Sequence, residues 1–152
     1  MHLLFSANRW ELAKRIRNTL CQGKTVIVDR YSYSGIAYSS AKKDLSLKWC
    51  CEMEKGLPRP DLVIYLELPR AAQYKRPGFG DERFETQEMQ ELVRLQYERV
   101  MEISKETWLK INVENKTPDQ VLGEIILPVK RCLDSSSNKE LGTLDFFDAS
   151  QI

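Results

Sequence analysis

Phe5 and Arg9 stand four residues apart in a stretch with helical spacing, so their side chains are neighbours on one face. An aromatic ring there can stack on a nucleobase, and a guanidinium beside it can donate to a base carbonyl. The structural alternative places Phe5 in the core with Arg9 snorkelling over it. A second pair, Asp29-Arg30, ends the β-branched run Val26-Ile27-Val28. In open α/β sheets ligands bind outside the carboxyl ends of the strands, where an arginine offers a planar fork to phosphate. Otherwise Asp29 caps the next turn and Arg30 makes a surface ion pair. The third group is Arg76 to Glu85, with two glycines, a proline, two arginines and three acids. That composition suits a mobile flap, or else a solvated loop with paired charges.

Gly23-Lys24-Thr25 ends like the phosphate loop G-x-x-x-x-G-K-[ST], yet the first glycine of that pattern would fall on Asn18. The tripeptide also follows a helix and precedes a strand, the reverse of what the loop requires. It is not such a loop, and no other stretch fits the pattern. Cys21, Cys50, Cys51 and Cys132 show no C-x-x-C spacing, and His2 is the sole histidine. A metal site is therefore not expected, and the thiols read as reduced, in a cytoplasmic compartment with nuclear or mitochondrial pools left open.

With 152 residues, 42% of them hydrophobic, the chain has room for one domain with a real core. A net charge of +1 argues against nucleic acid or a membrane surface as partner. No apolar run approaches a membrane span or a secretory signal.

Positioning these groups requires a helix over Leu3 to Leu20 stopped by Gly23, then a strand at Thr25 to Val28. A short helix over Ser32 to Ala41 follows, then another capped by Asp44 or Ser46. Gly56-Leu57-Pro58-Arg59-Pro60 breaks the chain before a second strand, Asp61 to Leu68. A helix opening at Pro69 covers Arg70 to Lys75, and the flap comes next. A long helix spans Thr86 to Thr107, and Trp108 to Val113 is a third strand. Thr117-Pro118 starts a last helix, expected to reach Leu127 and to kink or break at Pro128. In the tail, 134–152, Leu141, Phe146 and Phe147 are too sparse for a core, so a loosely ordered segment is expected. The order implies an α/β fold, a parallel sheet with helices on both faces.

Phe5-Ser6-Ala7-Asn8-Arg9-Trp10-Glu11, Asp29-Arg30-Tyr31, Pro60-Asp61-Leu62-Val63 and Phe79-Gly80-x-Glu82-Arg83-Phe84-Glu85 together resemble eukaryotic thymidylate kinases. The resemblance covers about residues 1–133, with the flap as lid at 76–85, and fades in the tail to Lys139-Glu140-Leu141-Gly142. It implies a P-loop-kinase-like fold, ATP and dTMP as substrates, Mg2+ with the ATP, and dTDP as product. It assigns Phe5 to stacking on thymine and Arg9 to its O4. Arg30 then grips the acceptor phosphate, and Asp29 orients metal or catalytic groups. Ser34 and Gly35 admit the nucleotide, and Tyr38 lies against the deoxyribose, with simple packing as its alternative. Arg76 and Arg83 are the lid's cations for the transferring phosphoryl group. Glu85 completes the acceptor site. Phe84 stands where relatives commonly carry tyrosine, so a hydroxyl contact is lost there. Asn115 and Lys116, with Arg76, border the ATP.

The family's first strand, phosphate loop and following helix would precede the residues that match Met1. Their absence from the sequence leads us to expect an N-terminally truncated isoform or an incomplete gene product, with most catalysis lost. The same absence removes the neighbour of the strands at Thr25 and Leu62, so a destabilised or rearranged chain is expected. The alternative function is a non-catalytic remnant that binds dTMP, or that associates as a homodimer or with a full-length kinase.

Overall fold

A computed structural model describes residues 1–73, 86–136 and 139–147. The chain forms two compact units. The first takes in residues 1–59, 88–105 and the segment from 141; the second takes in 60–87 and 106–140, so far as these are described.

The first unit is built on helices. α1 (His2–Cys21) ends where Gly23 takes a φ of 69°, a conformation glycine adopts at no steric cost. α2 (Ser32–Ser40) packs on α1, and α3 (Leu47–Glu52) packs on α2. The start of α3 is fixed by Ser46, whose Oγ accepts from the Trp49 amide at 3.2 Å. The long helix is α5 (Gln87–Ile103), whose Val93 is buried together with Ala37 and Ala41. Tyr38, Met89, Leu92 and Tyr97 flank that cluster.

Thr25 to Val28 does not form the expected strand: residues 24–28 lie in no helix or ladder. Ile27 is 93% exposed and Val28 46%. The reason is physical. β-branched residues favour a strand only where a neighbouring strand can exchange backbone hydrogen bonds, and among the described residues the first unit contains no ladder, only an isolated bridge.

That bridge holds one described segment of the tail. Thr143 faces Pro58 in antiparallel sense. Leu144 N–H donates to Leu57 O at 2.8 Å, and Gly56 N–H donates to Leu144 O at 3.0 Å. Leu144 and Phe146 are buried, the latter edge-on to Tyr33 with ring centroids 6.2 Å apart. Two well-placed apolar side chains suffice because the backbone of Gly56 to Arg59 holds their segment by hydrogen bonds.

The second unit is the α/β part. β1 (Leu62–Glu67) and β2 (Thr107–Asn112) pair in parallel, Leu62 opposite Thr107 and Glu67 opposite Asn112. The short α4 (Arg70–Gln73) follows Pro69. α6 (Pro118–Ser136) packs against both strands. Its start is a reciprocal cap: Gln120 N–H donates to Thr117 Oγ1, and Thr117 N–H to Gln120 Oε1 at 2.8 Å. α6 runs on through Pro128 where a break was expected. A proline removes one backbone bond, and the helix continues past that loss to Ser136. No helix among the described residues is long and apolar enough to cross a membrane.

Two outcomes are expected. Leu144→Ala lowers stability in urea denaturation by about 2–5 kcal/mol, the range for emptying a buried leucine site; a loose tail would give nearly no change. In hydrogen exchange the amides of residues 25–28 are close to unprotected, whereas those of α1 and α2 are protected.

Candidate functional site

α1 is docked by its polar residues as much as by apolar ones. Ser6 Oγ and Trp10 Nε1 both donate to Met53 O, at 2.9 and 3.0 Å. Arg17 Nη2 donates to Gly56 O at 2.7 Å. Between them Arg9 Nε donates to Glu54 Oε2 at 2.7 Å, and Arg9 Nη2 pairs with Glu54 Oε1. The Glu54 side chain is fully buried, and that of Arg9 is 12% exposed. His2 stands behind this pair. Its Nδ1 lies 2.9 Å from Ser39 Oγ, and its Nε2 lies 3.2 Å from Cys50 O and 3.7 Å from Glu54 Oε1. The motif around Arg9 is therefore a docking surface for the turn after α3. Removing one partner of such a buried pair costs about 3–5 kcal/mol.

α1 and the segment before α2 enclose a cavity of about 260 Å³, lined by Phe5, Asn8, Arg9, Asp29, Arg30 and Tyr31 among others. Phe5 is 56% exposed, which removes the reading of it as core. Arg9 does not snorkel over it into water, because Glu54 holds it. On the other side Arg30 takes a φ of 58°, a left-handed conformation that costs a side-chain-bearing residue about 1–2 kcal/mol. Arg30 Nε donates to Ser34 Oγ at 3.0 Å, and its guanidinium carbon lies 4.8 Å from the centre of the Tyr38 ring. Ser34 and Tyr38 fall one turn apart on α2, so one face of that helix receives the side chain of Arg30, which precedes it. Gly35, on the next turn face, lies against Arg9: a Cβ there would come within 2.7 Å of Arg9 Nη2.

The structure thus brings Phe5, Arg9, Asp29 and Arg30 to one cavity, with Ser34, Gly35 and Tyr38 beside them. It does not support Asp29 as a helix cap, since no side-chain cap bond closes the start of α2. Asn115 and Lys116 belong to the second unit, in the turn between β2 and α6. Asn115 is left-handed there, and Lys116 Nζ lies 2.6 Å from Glu124 Oε1. Arg76, Arg83, Phe84 and Glu85 lie outside the described residues.

Two residues were not singled out from sequence. Glu54 carries no signal that separates it from Glu52 two positions earlier. Tyr97 of α5 approaches Ser34, Tyr38 and Arg30; burial raises its phenol above the usual range, against the lowering by Ser34's hydrogen bond. Burial, then the Glu54 charge, pushes Tyr31 up to about 12. It stays a neutral donor, to Pro58 O at 3.1 Å.

Among the described residues no three His, Cys, Asp or Glu side chains converge on a metal position. Mg2+ in a nucleotide site takes one or two carboxylates with the substrate's own phosphates, and Asp29 in the cavity lining fits that donor set.

The thymidylate kinase family profile matches residues 1–125. Over 144 residues the chain is 39% identical to human thymidylate kinase, covering 95% of this chain and 68% of that protein. It is 42% identical to the Danio rerio enzyme over 112 residues, 74% of this chain and 53% of the relative. To that of Dictyostelium discoideum it is 43% identical over 125 residues, 82% and 54% respectively. It superposes on the solved thymidylate kinase of Candida albicans with a TM-score of 0.80 at 34% identity, covering 95% of this chain and 72% of that one. The chain therefore spans about two thirds of the human protein's length and about half of the other two relatives'. By the extent of these matches the chain belongs to the thymidylate kinase family.

Proposed function

We propose that the first unit carries the acceptor site of a dTMP kinase, which transfers the γ-phosphoryl group of ATP to the 5′-phosphate of dTMP, giving dTDP. The observation that carries this reading is the cavity shared by an exposed aromatic, Phe5, and two guanidinium groups, Arg9 and Arg30. Phe5 offers a face for the thymine ring. The Nη1 of Arg9, which no described residue engages, offers a donor for O4. Among the described residues Arg30 donates through its Nε, to Ser34, so its two Nη groups can serve a phosphate. Tyr38 beneath that guanidinium holds it from the ring side and borders the sugar.

In this reading Asp29 orients Mg2+ that arrives with ATP, and the metal supplies charge neutralisation between the phosphates. Arg76 and Arg83 serve as the cations of the lid, and Phe84 and Glu85 complete the acceptor side. Asn115 and Lys116 border the adenine. The partners are the two nucleotides, with a second copy of the chain or a longer kinase chain as a protein partner. Phosphoryl transfer is almost wholly positioning and charge stabilisation, so residues whose orientation is fixed before substrate arrives are the ones that matter. A cytoplasmic, reducing setting suits the free thiols of Cys21, Cys50, Cys51 and Cys132.

A coupled ADP-release assay on the 152-residue chain with dTMP and ATP tests the whole reading. dTMP-dependent turnover supports it, and a rise in melting temperature with dTMP but no turnover leaves the acceptor site alone. No response to dTMP at all would sink both.

Phe5→Ala is expected to weaken dTMP binding by about 1–3 kcal/mol, the scale of a lost base stack, read by isothermal titration. Arg30→Ala is expected to weaken dTMP by about 1.5–3 kcal/mol, the scale of a charged hydrogen bond, and to leave thymidine binding nearly unchanged. Arg30→Gly loses the same affinity, yet it melts higher than Arg30→Ala because glycine relieves the left-handed strain at φ 58°.

A further inference from the structure

We propose that Glu54 is the positioning residue that aims Arg9, and that through Arg9 it sets the choice between a 4-oxo and a 4-amino pyrimidine. This rests on the acceptor-site reading above. Glu54 is not among the residues that line the cavity and is wholly withdrawn from water, and it is bonded to Arg9, which does line it. Its two carboxylate oxygens take one edge of the guanidinium, Nε and Nη2 together. A two-point contact fixes the plane of the guanidinium as well as its place.

Two further features make the hold rigid. Gly35 faces the guanidinium so closely that a Cβ would stand 2.7 Å from Nη2 and 3.2 Å from both Cζ and Nη1. The group is therefore confined between a carboxylate and the backbone of α2. Behind the carboxylate, His2 is itself fixed by Ser39 Oγ at 2.9 Å and Cys50 O at 3.2 Å, with its Nε2 3.7 Å from Glu54 Oε1. The carboxylate thus has no open side toward which to swing.

Selectivity follows from the chemistry of the free edge. A guanidinium is only a donor. A 4-oxo group accepts from it, whereas a 4-amino group turns its own hydrogens toward it and leaves donors facing donors. A site of fixed polar groups rejects the mismatched ligand strongly, because the groups left unpaired cannot retreat. An Arg9 freed from Glu54 can retreat, and the penalty on the amino base falls.

The experiment is titration of the 152-residue chain and of Glu54→Gln with dTMP and with dCMP. The glutamine keeps the shape but sets an amide NH2 against the Arg9 edge. The expected result is that the dTMP-to-dCMP affinity ratio narrows at least about tenfold, by weaker dTMP binding together with relatively stronger dCMP binding. A purely structural role would lower the melting temperature and leave the ratio intact, and that outcome overturns the proposal. Where Glu54→Gln does not fold, Glu54→Asp carries the same readout: it keeps the charge, shortens the arm by one methylene and draws Arg9 back. Its ratio also narrows if Glu54 aims Arg9, and an unchanged ratio overturns the proposal. Failure of the underlying reading looks different: the unsubstituted chain then shows no preference for dTMP over dCMP to begin with.

Discussion

A carboxylate fully removed from water survives in a fold only if other groups replace the hydration it gave up. Glu54 meets that condition through Arg9, and the first unit is arranged to let it. α1 brings Arg9; Ser6, Trp10 and Arg17 pin the same helix to Met53 and Gly56 on either side of the carboxylate. The ion pair cannot slide without breaking several bonds to one short turn. Because that turn also carries Gly56 to Arg59, on which the segment at Leu144 is laid, the ordering reaches as far as the buried Phe146. Helix docking, tail and cavity wall are coupled through one side-chain pair.

The second wall of the cavity is held by a different device. Arg30 sits in a backbone conformation that side-chain-bearing residues avoid, and what keeps it there is α2. Ser34 accepts from its Nε one turn on, and the Tyr38 ring supports the guanidinium two turns on. Tyr97 closes the group from α5, with its hydroxyl kept protonated by burial. Strain of this sort persists only where the surroundings over-determine it. Its presence at a residue lining the cavity, rather than in a remote loop, is what makes it informative about function.

How far the chain was legible varies with how local the determining forces are. The stop of α1 and the starts of α3 and α6 came through because Gly23, Ser46 and the Thr117 to Gln120 cap act within a turn or two. β1 and β2 came through because their apolar runs find each other in parallel register. Val26 to Val28 has a similar composition, and among the described residues of its unit there is no strand for it to pair with. Phe146 looked too sparse for a core, and Leu144 was passed over, because their partners, Tyr33 and Leu57, are far away in sequence. Of the candidate site, Phe5, Arg9 and Arg30 could be picked out by type and spacing, and Tyr38 only through the family resemblance. Glu54 could not: Glu52 is exposed and Glu54, in the turn after α3, is buried, a difference the residue type does not carry.

The loss of the strand at Thr25 to Val28 changes where the precision of the site comes from. In a sheet-built site the strand end would place Asp29 and Arg30, and its neighbours would hold the strand. Here the segment before Asp29 is exposed, so placement passes to the elements after it. Arg30 is located by α2 through Ser34 and Tyr38, and Tyr31 by its bond to Pro58. Arg9 is located by the turn after α3, through Glu54. Each guanidinium is thus referred to a helix, and α1, α2 and α3 pack on one another in sequence. It follows that the distance between the two arginines depends on the α1–α2 contact, where Gly35 admits the Arg9 guanidinium against the helix backbone. Any side chain at position 35 would separate the two helices or displace Arg9, and either change would spoil the cavity without touching Phe5 or Arg30 directly.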